Sequence, residues 1–338
     1  MKQIKKILRL FIITLLLSAC SIPINQNSAN ESELPYLSIT MTTQEENGEL
    51  LIHFLTYDIA SKEIKEAAQV PMTAQYSLGV IDKRHNSLYF AERDTSGSDQ
   101  LVKIDLKNNN KEKLTKSLYA INYIIPSNNK IIVAAQKHET RNVELVTYEP
   151  DAKKLILWDK NDHDTCVQSL TFNPHSKKLY ASLFSFQESL DKIQQYEQEQ
   201  AEHLKPPVFR IVEYSTDGKQ LRTLLTIEEY VMTFAVSEDE TKAVLRSAPM
   251  VFSPRQVYLI DLETGERQPL TIKNYDAFEH IYFSPDNKGL YLTAIAKANI
   301  EEEGGVPNGL YYYDFETKQM ERIFAQPNGY VNNFMLLN

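Results

Sequence analysis

Along most of the chain, apolar and polar positions alternate in short runs instead of recurring every three or four residues. Segments such as PYLSITMTT (35–43), LLIHFLTYDIA (50–60) and EIKEAAQVP (63–71) show this alternation. A period of two over four to eight residues predicts half-buried strands. Five further segments read as a strand, a tight turn and a second strand: 79–91, 123–135, 171–183, 235–247 and 282–294. Their turns carry Asn, Asp, Ser and Pro, as in TFNPHSKKLYASL and YFSPDNKGLYLTA. Such residues favour turns because their side chains bond nearby backbone or preset φ. One stretch of the body departs from the pattern. In QESLDKIQQYEQEQAEHLK (187–205), Leu190, Ile193, Tyr196, Ala201 and Leu204 fall near helical spacing, which predicts an inserted helix.

A second pattern recurs more widely. An aromatic or aliphatic strand ends in an acidic or hydroxyl residue, then a turn, then another strand. The six copies centre on Asp58, Asp105, Glu149, Ser215, Asp261 and Asp314. Neighbouring copies lie 47, 44, 66, 46 and 53 residues apart, and the 66 contains the helical insertion. A four-strand unit repeating every 45 or so residues is the mark of a propeller blade. The single Trp158 argues against blades that each need a tryptophan. Residues 35–71 supply three strands with no inner strand before them, while GYVNNFMLLN (329–338) is one strand with nothing after it. Pairing the chain ends completes one blade and removes an open sheet edge. The predicted fold is therefore an all-β, six-bladed propeller over 35–338, closed by the C-terminal strand. The segments PDNKGLYL and LYYYDFETKQMERI resemble the TolB-like propeller repeat, with Ser284-Pro285-Asp286 the cleanest match. The repeat's glycine is mostly missing here.

The N-terminus follows different rules. Lys2, Lys5, Lys6 and Arg9 precede the apolar run Leu10–Leu17, which is far shorter than the about 20 residues that span a bilayer. Basic, apolar and small-residue regions in that order predict a secretory signal over 1–19. Leu17-Ser18-Ala19-Cys20 resembles the lipobox of bacterial lipoproteins. That resemblance implies a diacylglyceryl thioether on Cys20, which would become the first residue after cleavage. Two acyl chains anchor stably where one is marginal. Residues 20–34, rich in Asn and Ser, read as a tether. The expected location is the extracytoplasmic face of a cell membrane, held by lipid.

Charge narrows the partners. The formal net charge is −9, and the first 19 residues carry +4, leaving −13 on the remainder. A body so acidic lacks the clustered Lys and Arg that nucleic acid requires. Enzymatic motifs are scarce: there is no Gly-x-Ser-x-Gly elbow, no His-Glu-x-x-His and no Gly-rich phosphate loop. Cys166 sits in a strand-like run, where a small buried hydrophobe is the expected role.

The densest polar cluster is Asp162-His163-Asp164, in the loop entering blade four. The corresponding loop entering blade six holds Tyr275, Asp276, Glu279 and His280. Together these seven are the candidate ligand-binding residues, on the expectation that both loops line one mouth of the channel. Such a site suits a cationic or sugar-like ligand or a basic peptide. The competing role for Asp162 and Asp164 is to cap backbone amides in a solvated turn. No cofactor is expected, although carboxylates flanking an imidazole could take a divalent metal such as calcium. The function expected is that of a monomeric binding module for an envelope protein or small ligand. The alternative is a metal-dependent hydrolase or lactonase of the six-bladed kind, for which Asp162 or Asp164 would have to converge with Glu279 or His280.

Overall fold

A computed structural model describes residues 34–276, 278–297 and 308–338. Leu34–Asn338 form one compact unit. The predicted signal, Cys20 and nearly all of the tether lie outside the described residues, as do 298–307 of the loop between Ala296 and Gly309.

Six antiparallel sheets follow one another as blades, so the chain is a six-bladed β-propeller. The inner strands are Gly329–Leu337 in blade one, Gly79–Asp82 in blade two, Leu118–Ser127 in blade three and Thr165–Asn173 in blade four. Blade five has Tyr230–Val236, and blade six has a split inner strand, Tyr275–Asp276 followed by Ile281–Phe283. In blade one the C-terminal strand pairs with Tyr36–Gln44, from Tyr36 opposite Leu337 to Thr43 opposite Gly329. The ring is thus sealed by the two ends of the chain.

The six repeat residues end the third strand of each blade: Asp58, Asp105, Glu149, Ser215, Asp261 and Asp314. Their recurrence has a local cause. Asp58 Oδ1 accepts the Ser61 N–H at 2.8 Å, Asp261 Oδ1 that of Thr264 at 2.8 Å, and Asp314 Oδ1 that of Thr317 at 2.7 Å. Each carboxylate satisfies turn amides that the ladder has released. The turns also need a left-handed residue, supplied by Lys62, Asn109, Lys153, Gly218, Gly265 and Lys318. In the turns between first and second strands, where the repeat's glycine would stand, Asn86, Asn128, Lys177, Glu240 and Asn287 take the left-handed conformation instead.

Blades are joined through buried contacts. Tyr36 Oη donates to the Ile81 carbonyl at 2.8 Å, and Thr171 Oγ1 to that of Phe234 at 2.6 Å. Gly79 has no room for a side chain, because a Cβ there would fall 2.2 Å from the buried ring of Phe54. Cys166 is buried, and burial pushes its thiol up.

Candidate functional site

All six inner strands start on one side of the ring, here the upper face. The loops from second to third strands also lie there. One of them carries the inserted helix, Phe186–Glu199. Ser185 caps that helix, accepting the Glu188 N–H at 2.9 Å. None of its residues is buried.

Pairing registers reveal a feature that repeats around the channel. In blade one, Thr40 opposes Asn333 and Met41 opposes Val331, so Asn332 is an extra residue. The same two-against-one step makes Asn122 extra in blade three, Gln168 in blade four and Met232 in blade five. In blade six, Asp276 pairs with Ile295 and Ile281 with Leu292, so the ladder is interrupted opposite Thr293 and Ala294. Each step falls between the fifth and sixth residues of the neighbouring second strand, hence at one height in the ring. Bulges re-aim side chains next to sites. Among largely buried neighbours, Asn122, Gln168, Met232 and Asn332 stay half-buried.

The central cavity opens at this height and measures about 290 Å³. Asn122, Gln168 and Asn332 line it, with Glu279, His280 and Tyr330. Tyr76, Ser77 and Tyr123 also contribute, and no Lys or Arg does. Thr42 donates to Asn332 Oδ1 at 2.7 Å, which fixes that amide and leaves its NH₂ unspent. The side chains of Asn122 and Gln168 are half-buried at the cavity wall. Tyr330 Oη donates to Glu279 Oε2 at 3.3 Å. Burial, with the Glu279 charge, pushes the Tyr330 phenol up to about 12. His280 lies within reach of the Asn332 backbone, and burial holds its imidazole below the ordinary 6.5. Burial pushes up the phenols of Tyr123 and Tyr282 on opposed inner strands, and Tyr123 adds to the effect at Tyr282.

The seven candidate residues separate into three groups. Glu279 and His280 face the central cavity. Tyr275 packs edge-on against Tyr311 at 5.0 Å, within the layer of blade six, and Asp276 beside it contributes to the field around Arg246. The loop entering blade four is elsewhere. Asp162 lines a pocket between blades three and four, and its Oδ1 accepts the N–H groups of Asp164 and Thr165 at 2.9 and 2.8 Å. These bonds hold its carboxyl below the ordinary range against the opposing effect of burial. Asp164 Oδ1 accepts the Gln187 N–H at 2.7 Å, at the start of the inserted helix, where negative charge is favoured. The His163 side chain is exposed, and its carbonyl receives Asn142 Nδ2 at 2.7 Å. The two loops therefore serve different cavities. Among the described residues, no three His, Cys, Asp or Glu side chains are gathered as a metal site would require.

Arg246 is the residue that sequence reasoning missed. It is 3% exposed on the second strand of blade five, and its Nη1 donates to the Phe278 carbonyl at 2.6 Å. Burial and Arg255 pull its pKa down to about 10, while Glu279 and Asp276 act the other way. It thus holds the looped-out backbone of blade six from the next blade. The available signal was a second charge, after Lys242, set inside the apolar strand KAVLRSA.

No family model matches the chain. A curated relative, the uncharacterized protein YdjN of Bacillus subtilis (strain 168), is 21% identical over 87% of this chain and 88% of its own length. TolB from Acinetobacter baumannii superposes with a TM-score of 0.55 at 14% identity, over 89% of this chain and 66% of that one. An oligogalacturonate lyase in complex with manganese gives 0.51 at 14% identity, over 80% of this chain and 74% of that one. At such identities the likeness is one of fold: the propeller is TolB-like.

Proposed function

We propose that this protein is a lipid-anchored, extracytoplasmic binding module whose working surface is the upper face. Its central cavity receives a neutral or cationic hydrogen-bonding group of an envelope protein. The observation that carries this reading is the ring of bulges. Four blades give up ladder pairing at one height, and three of the four extra residues are carboxamides that line the cavity. These half-buried amides are within reach of solvent, so a ligand that bonds them exchanges water contacts for its own. Glu279 is the only acidic group among the cavity's lining residues, which favours a donor over an anion. The lipobox supplies the anchoring half of the proposal, and TolB-like architecture in envelope proteins is consistent with it.

A metal-dependent hydrolase is the second reading, encouraged by the lyase of similar fold. It is weaker here, because the carboxylates it would recruit lie in two separate cavities.

The test places a photo-crosslinking amino acid at Tyr119, on the upper face, and at Asn287, in a lower turn, in cells. A discrete adduct is expected from position 119 and none from 287. Gln168→Leu with Asn332→Leu should remove the adduct, and Cys20→Ser should release the protein from the membrane fraction. An adduct indifferent to both cavity substitutions would overturn the cavity reading, and retention of Cys20→Ser would overturn the anchor.

A further inference from the structure

The pocket beside Asp162 is separate from the channel and of different chemistry. It lies in the groove between blades three and four and measures about 240 Å³. Its apolar wall is a pair of rings, Trp158 and Tyr214, with centroids 5.3 Å apart and planes tilted 54°. Gly218 packs against the indole with a φ of +84°, and a Cβ there would lie 2.9 Å from the Trp158 ring. The indole N–H donates to Thr147 Oγ1 at 2.7 Å, which satisfies its polar edge and fixes the ring. Three carboxylates line the pocket, from Glu144, Asp159 and Asp162, against one guanidinium, Arg210. Glu144 is already paired with Lys137 at 3.2 Å. Asp159 and Asp162 each accept two backbone amides on Oδ1, and the Thr165 side chain and the Arg210 charge also act on the Asp162 carboxylate.

Cations seek aromatic faces, tryptophan above all, and more so beside carboxylates. Among the described residues, ammonium groups of the chain already cover Tyr36, Tyr89 and Phe90. None covers Trp158 or Tyr214. We propose that this pocket binds a small zwitterionic organic ammonium compound. Its ammonium sits against Trp158 and Tyr214, facing Asp159 and Asp162, while Arg210 takes its anionic group. The volume falls below the roughly 300–1,000 Å³ of drug-sized sites, so the ligand is of amino-acid size.

Trp158 is the only tryptophan of the chain, so its emission reports on this pocket alone. The experiment titrates the full-length protein in detergent with glycine betaine, choline chloride and sodium acetate at matched ionic strength. Betaine should change the emission saturably, choline should bind about tenfold more weakly for want of one charge-assisted contact, and acetate should do nothing. Asp162→Asn keeps an oxygen for the turn amides and should weaken betaine at least about tenfold, as should Tyr214→Leu. Arg210→Gln should erase the preference for betaine over choline. Three results would overturn the assignment: no saturable response to betaine, an equal response to acetate, or unchanged betaine affinity in Asp162→Asn with an unchanged thermal midpoint.

Discussion

Blades one and six, adjacent in the ring, treat their inner strands in opposite ways. In blade one a nine-residue strand, Gly329–Leu337, pairs along its length with a single one-residue step. In blade six the inner strand is cut to two residues and three, and the backbone between them is held by Arg246 of blade five. The first arrangement closes the molecule, and every pair it makes opposes ring opening. The second gives up ladder bonds and in exchange brings Glu279 and His280 to the central cavity. Stability is concentrated where the chain ends meet, and shape is adjusted where the cavity is built. Hydrogen bonds lost in blade six are replaced from neighbours: Arg246 Nη1 to the Phe278 carbonyl, and the His280 N–H to Thr293 Oγ1 at 3.1 Å.

The sharpest break of this contrast is truncation at residue 328. Removing Gly329–Asn338 strips the inner strand from blade one, along with the buried Val331, Phe334, Met335, Leu336 and Leu337. Each large side chain contributes about 1.5–3 kcal/mol, so the loss matches the whole about 5–15 kcal/mol of a typical fold. The truncated chain should show no cooperative thermal transition by circular dichroism. A transition within a few degrees of the full chain's would show that closure is dispensable.

A smaller effect is expected at blade six. Arg246→Met keeps a long apolar stem but leaves the Phe278 carbonyl unbonded, a cost of about 1–3 kcal/mol. The protein should still fold, with a lowered thermal midpoint and faster amide exchange confined to residues 276–281. Faster exchange spread through all six blades would mean that Arg246 supports the ring as a whole.

The smallest effect concerns pH. The folded pKa of His280 is held below 6.5, so the unfolded chain takes up the proton first as pH falls. Its contribution to stability is complete above the unfolded value and is lost as pH falls through the folded one. The thermal midpoint should decline between about pH 7 and pH 5, and His280→Gln should flatten that decline. An equal slope in the variant would place the pH dependence elsewhere.

Much of the architecture was legible before any coordinates. Turn chemistry is local: Asp58, Asp105, Asp261 and Asp314 each bond amides two or three residues ahead, so they recur visibly along the chain. Counting them with Glu149 and Ser215 yields six blades, and the unmatched strands at 35–71 and 329–338 imply the closure. Both polar loops stood out in the sequence, but not that they belong to different cavities. Glu279 and His280 line the central cavity, whereas Asp162 lines the pocket between blades three and four while accepting turn amides, and Asp164 accepts the Gln187 N–H at the start of the inserted helix.

What the sequence determined by itself is therefore whatever depends on near neighbours: strand period, turn residues, blade number and the identity of the closing strand. Tertiary structure alone decided which residues face the channel. A bulge exists only relative to a partner strand, and one extra residue turns a side chain from the sheet layer towards the lumen. Asn122, Gln168 and Asn332 thus become a ring only when five registers are compared, and Arg246 matters only because blade six loops back over blade five.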